Sequence, residues 1–205
     1  MWSSTRWRAD PSLGGVAALS LCLALAAPVL ANTGDNRASP SVQAVPGTGS
    51  HPLLPGSRLQ GQALLRFFGL QVYQAHLWTR TDFRPEQLEQ QPLVLELQYL
   101  RDFKGSAIAE RSLQEMRRSG SVSEERGQRW LSEMQRIFPD VKSGDRIAGV
   151  HQPGQGAAFW HNGRPAGRID DTEFARRFFG IWLAPSTSEP DMRTALLGLQ
   201  SQGQR

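Results

Sequence analysis

The stretch "DDTEFARRFFGIWLAPSTSEP", Asp170–Pro190, decides how the chain folds. Asp170 and Asp171 stand where a helix cap belongs, and Glu173 follows in the first turn, where a carboxylate suits the positive end of the helix. Phe174, Phe178 and Ile181 recur at spacings of four and three, and Phe179 and Trp182 widen that stripe. Pro185 stops the helix, because the residue before a proline is pushed out of the α region. A second helix is expected from Ser188, with Pro190 in its first turn and Met192, Leu196 and Leu199 on one side. Six apolar residues between Arg177 and a proline are too few to cross a bilayer, which takes about 20. The stretch is therefore a helix end with a broad buried face. Burial of Phe174, Phe178 and Ile181 is worth roughly 2 kcal/mol each, enough to clamp the helix onto something flat.

That flat partner is legible upstream. "RLQGQALLRFFGLQVYQAHLWT", 58–79, alternates Leu59, Gly61, Ala63, Leu65 and Phe67 with polar neighbours, then resumes after Gly69. It reads as two strands, or one strand bent at a glycine. "PLVLELQYL", 92–100, puts Leu93, Leu95, Leu97 and Tyr99 on one face, as in an antiparallel sheet with one face toward water. Next come two helices. The first is "KGSAIAERSLQEMRRSG", 104–120, with Ala109, Leu113 and Met116 on one side. The second is expected to be capped by Ser121 with Glu124 and carries Trp130, Met134, Ile137 and Phe138. Strands return at 145–152, 156–162 and 164–169, and Asn162-Gly163 is a two-residue hairpin signal. Runs of strands and helices kept apart mean α+β, with helices packed on one face of one sheet.

Composition bounds the rest. The 205 residues carry 20% charged and 39% hydrophobic side chains and a net charge of +4. The cations alternate with acids, so no block of like charge tracks a phosphate backbone, and nucleic acid is not an expected partner. Arg6 and Arg8, an apolar run near Leu13–Ala27, and small Val29 and Ala31 make a secretory signal with a cut expected after Ala31. The expected location is the periplasm, with no membrane span in the mature form. Cys22 is the single cysteine and would leave with the signal, so the mature chain has no thiol. Residues 32–57, rich in Gly, Pro, Ser and Thr, read as a flexible leader, 58–199 as the folded domain and 200–205 as a tail.

"YLRDFKGSAIAERSLQEM", "FPDVKSGDRIAGV", "GAAFWHNGRPAGRIDDTEFA" and "FFGIWLAPSTSEPDMRTALLG" resemble the bacterial chalcone isomerase-like proteins from about Arg58 to Leu199. The resemblance implies an open-faced β-sandwich: a large antiparallel sheet, a layer of helices on one face, and a cleft between them. It also implies relatives of three kinds: plant enzymes that close a flavanone ring, fatty-acid-binding proteins, and proteins of no assigned activity. Laid on the plant enzymes' pattern, Phe68 falls at their strand threonine, Ile108 at their helix tyrosine and Glu115 at their helix asparagine. Neither phenylalanine nor isoleucine donates a hydrogen bond, so plant-type ring closure is not expected. The fatty-acid-binding members hold a carboxylate with an arginine and a tyrosine. Arg58 or Arg66, with Tyr73 or Tyr99, are the candidates here, a guanidinium being always charged and able to fork onto two oxygens. The plain alternative is a surface arginine and two core tyrosines.

His51, His76, His151 and His161 show no metal-ligand spacing, and there is no phosphate loop, nucleophile elbow or dinucleotide fingerprint. No cofactor is expected. The leading expectation is an exported, non-catalytic domain that binds a small apolar or amphipathic acid. An isomerase or lyase of other substrate, and an envelope interaction protein with no ligand, are the two competing expectations.

Overall fold

The computed structural model describes residues 49–199. The expected signal with Cys22, most of the expected leader and the tail lie outside the described residues. Six strands form one antiparallel meander in the order β1 to β6: β1 (Arg58–Phe67), β2 (Leu70–Thr79), β3 (Leu93–Tyr99), β4 (Arg146–Gln152), β5 (Gly156–His161) and β6 (Arg164–Ile169). Helices α1 (Gly105–Arg118) and α2 (Glu124–Ile137) interrupt the strand sequence after β3, and α3 (Thr172–Leu183) and α4 (Pro190–Leu197) complete it. This is the α+β arrangement that the order of strand and helix periodicities predicts, with the open-faced sheet that the family resemblance implies.

One face of the sheet is apolar because the period-2 alternation is kept across strands. Ala75, Leu77, Leu93, Leu95, Leu97, Tyr99, Ile147, Ala157, Phe159 and Ile169 share one buried cluster with the helices. α3 is the element that closes it. Phe174 and Phe178 stack at 5.5 Å, and Phe159 of the sheet meets Phe178 edge-on at 5.1 Å. Trp182 extends the same row, since 174, 178 and 182 are each one helical turn apart. Ile181, expected in that row, is only partly buried, and Phe179 and Trp182 are the buried residues in its place. Gly149 on β4 makes room for Phe179, whose ring lies 3.3 Å from where a Cβ would stand.

The helix ends follow their sequence signals with one shift. Asp171 caps α3, its Oδ1 accepting from the Glu173 and Phe174 amides at 2.9 and 3.0 Å. Its other oxygen accepts from Trp130 Nε1 at 2.9 Å, tying α2 to α3. Asp170 instead pairs on the surface with Arg168. α2 is capped by Ser123 rather than Ser121, with the Arg126 amide 3.4 Å from its hydroxyl. Ser121 lies earlier in the turn, where its carbonyl accepts from Arg177 of α3. α4 docks on β1 at Gly61, where a side chain would overlap the Ala195 and Leu196 carbonyls. The bulge beside it frees Gln60 to donate to the Leu197 carbonyl at 2.9 Å.

Residues 49–57, expected as leader, fold over the outer face of the sheet. Leu54 is buried against Val94, Ala148 and Val150, with Trp78 and Trp160 at the edge. Ser50 and Ser57 hydroxyls take up amide hydrogens there, so the Gly, Pro and Ser content makes tight turns rather than a free strand. β1–β2 and β5–β6 both close with two-residue turns whose central residues have positive φ: Phe68 and Gly69 at 48° and 78°, Asn162 and Gly163 at 48° and 77°.

Burial pushes the Asp171 carboxyl upward, but the Phe174 amide, the Trp130 indole and the Glu173 amide outweigh it and hold it low. A depressed carboxyl contributes stability that is present above the unfolded value of about 3.9 and lost as pH falls through the folded one. Asp171→Ala is expected to lower unfolding free energy by about 2 kcal/mol at pH 7, from the lost cap and the orphaned indole. In urea titrations the difference should shrink as pH falls below the unfolded value and through the lower folded one. An unchanged midpoint at pH 7 would show that α3 is not held by its cap.

Candidate functional site

The positions singled out by sequence separate into three places. Tyr73 and Tyr99 are paired across β2 and β3, their rings 6.0 Å apart and edge-on, under the helical layer. Trp182 Nε1 donates to the Tyr73 hydroxyl at 2.8 Å. The Tyr73 residue keeps some exposure, but its phenol end is buried. Burial pushes that phenol well above the tyrosine range, against the Trp182 hydrogen bond, and the charges of Glu189 and Glu115 add to the rise. Tyr99 is raised by burial and then by its neighbour Tyr73.

Ile108 and Glu115 lie two turns apart on the buried side of α1. Ile108 joins the main core. Glu115, with 8% of its side chain exposed, is the centre of a polar knot. It meets Arg111 at 2.6 Å and Arg118 at 3.4 Å and accepts from Ser188 Oγ at 2.8 Å. The knot therefore joins α1 to the loop before α4. Arg111 and Arg118 were readable as i−4 and i+3 partners of Glu115, and the sequence reasoning passed over them.

Arg58 and Arg66 do not reach the tyrosines. Both are exposed on β1, and among the described residues neither has a carboxylate within ion-pair range. The guanidinium whose charge reaches Tyr73 is Arg111 of α1. Phe68 is likewise misplaced by the family pattern: it occupies the β1–β2 turn and is 86% exposed, so it stands at no cleft position. An Arg-Tyr anchor built from these residues is not assembled.

A cavity of about 460 Å³ lies at the other end of the sheet. Its floor is α3, through Ala175, Phe179, Gly180 and Leu183, and its roof is a 3-10 turn, Pro85–Gln90, that no sequence signal announced. Leu88 and Leu199 add apolar surface. The polar groups are Arg176, Arg193 and His151, with Glu86, Gln87, Glu89 and Gln90 on the roof. Arg193 Nε donates to the Leu183 carbonyl at 2.8 Å, and among the described residues no carboxylate lies within ion-pair range of it. That bond fixes the guanidinium at the end of α3 and leaves its other N–H groups unspoken for. Arg176 is shared with Glu173 at 3.4 Å. His151, 7% exposed, has Nε2 3.1 Å from the Glu89 carbonyl. Burial holds its pKa below the histidine range, offset in part by the Glu89 and Gly156 carbonyls, so at neutral pH the ring is uncharged. Among the described residues no cluster of three acidic, histidine or cysteine side chains is arranged for a metal ion.

Glu189, beside the polar knot, is raised by burial and by the Glu115 charge, with Arg111 opposing. A raised carboxyl favours the fold while protonated, so stability falls as pH rises from the unfolded value through the folded one. Glu189→Gln should remove that loss. Its melting temperature should exceed the parent's at pH 7 and match it at about pH 4 and below. A variant less stable than the parent at pH 7 would mean that Glu189 is attracted to Arg111 more than it is repelled by Glu115.

The model of the chalcone isomerase-like family matches residues 57–198. An uncharacterized protein of Haemophilus influenzae is 30% identical over 127 residues, which are 62% of this chain and 61% of that protein. The chain thus spans about three fifths of the length of that curated relative. Among solved structures, a fatty-acid-binding protein of Arabidopsis thaliana superposes with a TM-score of 0.53 at 14% identity, over 69% of this chain and 87% of its own. At that identity the likeness is one of fold. Because the family match takes in every strand of the sheet and all four helices, the chain belongs to the chalcone isomerase-like family.

Proposed function

We propose that this domain binds, without converting, a small amphipathic acid in the cavity between α3 and the Pro85–Gln90 turn. The observation that carries the reading is Arg193: a positioned guanidinium with N–H groups to spare, at the rim of a chamber of about 460 Å³ whose walls are part apolar and part polar. Its volume falls within the roughly 300–1,000 Å³ usual for small-molecule sites. Phe179, Leu183, Leu88 and Leu199 suit a hydrocarbon tail, and Arg193 suits its carboxylate. The relative in Arabidopsis that is called a fatty-acid-binding protein shares this fold and supports the same class of ligand. A carrier is favoured over an isomerase because the position that resembles the plant enzymes' helix tyrosine holds Ile108, which is buried in the core and has no hydrogen to donate.

The test is displacement of a dansyl-labelled undecanoic acid from the purified protein, with solvent extraction and mass spectrometry for any acid that copurifies. Arg193→Gln should weaken binding about tenfold, the worth of one charge-assisted hydrogen bond. Arg58→Ala and Arg66→Ala should leave it unchanged. If Arg193→Gln binds as the parent does, the cavity is not the site. If no acid binds at all, the interaction protein without ligand is the better reading.

The domain is proposed to act in the periplasm, on the strength of the basic start, apolar middle and small-residue exit of residues 1–31. Protein recovered from a bacterial envelope fraction should then have an intact mass that begins at Asn32. A chain that retains Met1 or Trp2 there would overturn cleavage after Ala31.

A further inference from the structure

Large apolar side chains exposed to solvent are few among the described residues: Phe68 at 86%, Leu70 at 52% and Leu199 at 37%. Two of the three share the β1–β2 turn. Phe67 packs edge-on against Phe68 at 4.5 Å, so the tip presents a continuous apolar knob. Two arginines stand close to it along the backbone. Arg66 is the residue before Phe67 and is exposed. Arg101 is exposed and follows Leu100, whose amide donates to the Val72 carbonyl at 2.9 Å, two residues from Leu70. Among the described residues neither arginine has an acidic partner within ion-pair range. The nearest acid in sequence, Asp102, has its Oδ1 accepting from the Ser143 amide at 2.9 Å.

The fold itself does not call for this phenylalanine. The β5–β6 turn provides an internal control, with Asn162-Gly163 at φ values of 48° and 77° against 48° and 78° for Phe68-Gly69. Such a turn needs positive φ at both central residues, which asparagine tolerates and a bulky side chain resists. One chain therefore builds the same turn twice, once with the favoured residue and once with a strained and fully exposed aromatic ring. With 86% of the residue exposed, the contact with Phe67 covers little of that ring to offset the strain.

We infer that the β1–β2 turn is a docking tip for an anionic lipid bilayer, with Phe68 and Leu70 entering the interface while Arg66 and Arg101 meet the headgroup phosphates. A narrow convex knob suits a fluid interface, where it displaces lipid without needing a matching hollow. Cations beside an inserted apolar group are the pattern of interfacial anchors. β2 runs from Leu70 to Thr79, so the tip and the chamber roof that follows β2 stand at opposite ends of the sheet, about 30 Å apart. Docking would leave the chamber free, and the inference does not depend on what the chamber binds.

The experiment uses the full chain carrying Cys22→Ser, with an environment-sensitive nitrobenzoxadiazole label on Phe68→Cys or, as the equivalent turn, on Asn162→Cys. With vesicles of phosphatidylethanolamine and phosphatidylglycerol, the label at 68 should brighten severalfold and shift to the blue. The label at 162 should not. Raising salt or replacing phosphatidylglycerol with phosphatidylcholine should reduce the response, as should Arg101→Gln. In vesicle flotation of the otherwise unaltered protein, Phe68→Asn should lower partitioning about tenfold, as expected for one phenyl ring withdrawn from an apolar phase. The same variant should melt about 3 °C higher, because the turn gains its preferred residue. Equal responses at 68 and 162, or no response at either, would overturn the inference. So would a parent that self-associates in gel filtration while Phe68→Asn is monomeric, which would make the tip a contact between copies of the chain.

Discussion

The structure rests on one contact surface, the row Phe174, Phe178 and Trp182 of α3 laid across the inner face of the sheet. A six-stranded meander closed on one side only has no second sheet to bury its apolar face, so a helical layer must do it. α3 contributes the largest side chains to that layer, and they are engaged at several points. Phe174 meets Trp130 of α2 at 5.7 Å, Phe178 meets Phe138 and Phe159, and Trp182 reaches Tyr73 on β2. Asp171 then fixes the starting point of the row and anchors α2 through Trp130. The remaining helices are placed relative to α3: α1 through Arg177, which donates to the carbonyls of Gly120 and Ser121, and α4 through Arg193, which donates to Leu183.

The path of α3 also explains why the polar groups gather at two separate places. Its C-terminal end brings Trp182 over Tyr73, and the loop that follows brings Ser188 against Glu115. The Tyr73 hydroxyl is thus met by an indole, with the Glu115–Arg111 pair close enough for its charges to act on it. Glu115 is nearly enclosed, and three groups match its oxygens. The opposite flank of α3 carries smaller residues, Ala175 and Gly180, and the 3-10 turn arches above them. Open volume appears where side chains are small, and it lies on the far side of the helix from the tyrosines.

The fold was legible because both its periodicities are strong. Leu93, Leu95, Leu97 and Tyr99 alternate without a break, and the α3 stripe is aromatic rather than merely apolar, so neither segment has a competing reading. Errors came where local chemistry had two equivalent choices or where order depends on distant partners. Ser121 and Ser123 are both competent caps, and the position of the helix decides between them. Residues 49–57 have a loop composition, and their order comes from Leu54 finding Val94, Ala148 and Val150, which lie 40 or more residues away in sequence. The site was less legible still. Tyr73 with Tyr99 was recoverable from strand register, and Arg111 from its spacing to Glu115. Arg193 was not, because what distinguishes it from the other exposed-looking arginines is a bond to the end of another helix. Arg58 and Arg66 carried the same chemistry in sequence and failed only on direction.

Residues that a fold does not need are informative in proportion to what they cost it. Glu189 is held partly buried beside another carboxylate, and Phe68 is held in a left-handed turn with its ring in water. Both could be replaced by ordinary residues with no loss to the sheet, whose register is set by its inward leucines and whose helices are set by α3. A cost of that kind is retained at places where strain serves something other than folding. The two features lie in different settings, one in the polar knot between α1 and α4 and the other at the tip of the first hairpin. The knot is internal and its groups answer one another, so its strain has a partner within the molecule. The tip has none. That asymmetry, more than exposure alone, directs attention outward from Phe68 to a surface that the chain itself does not provide.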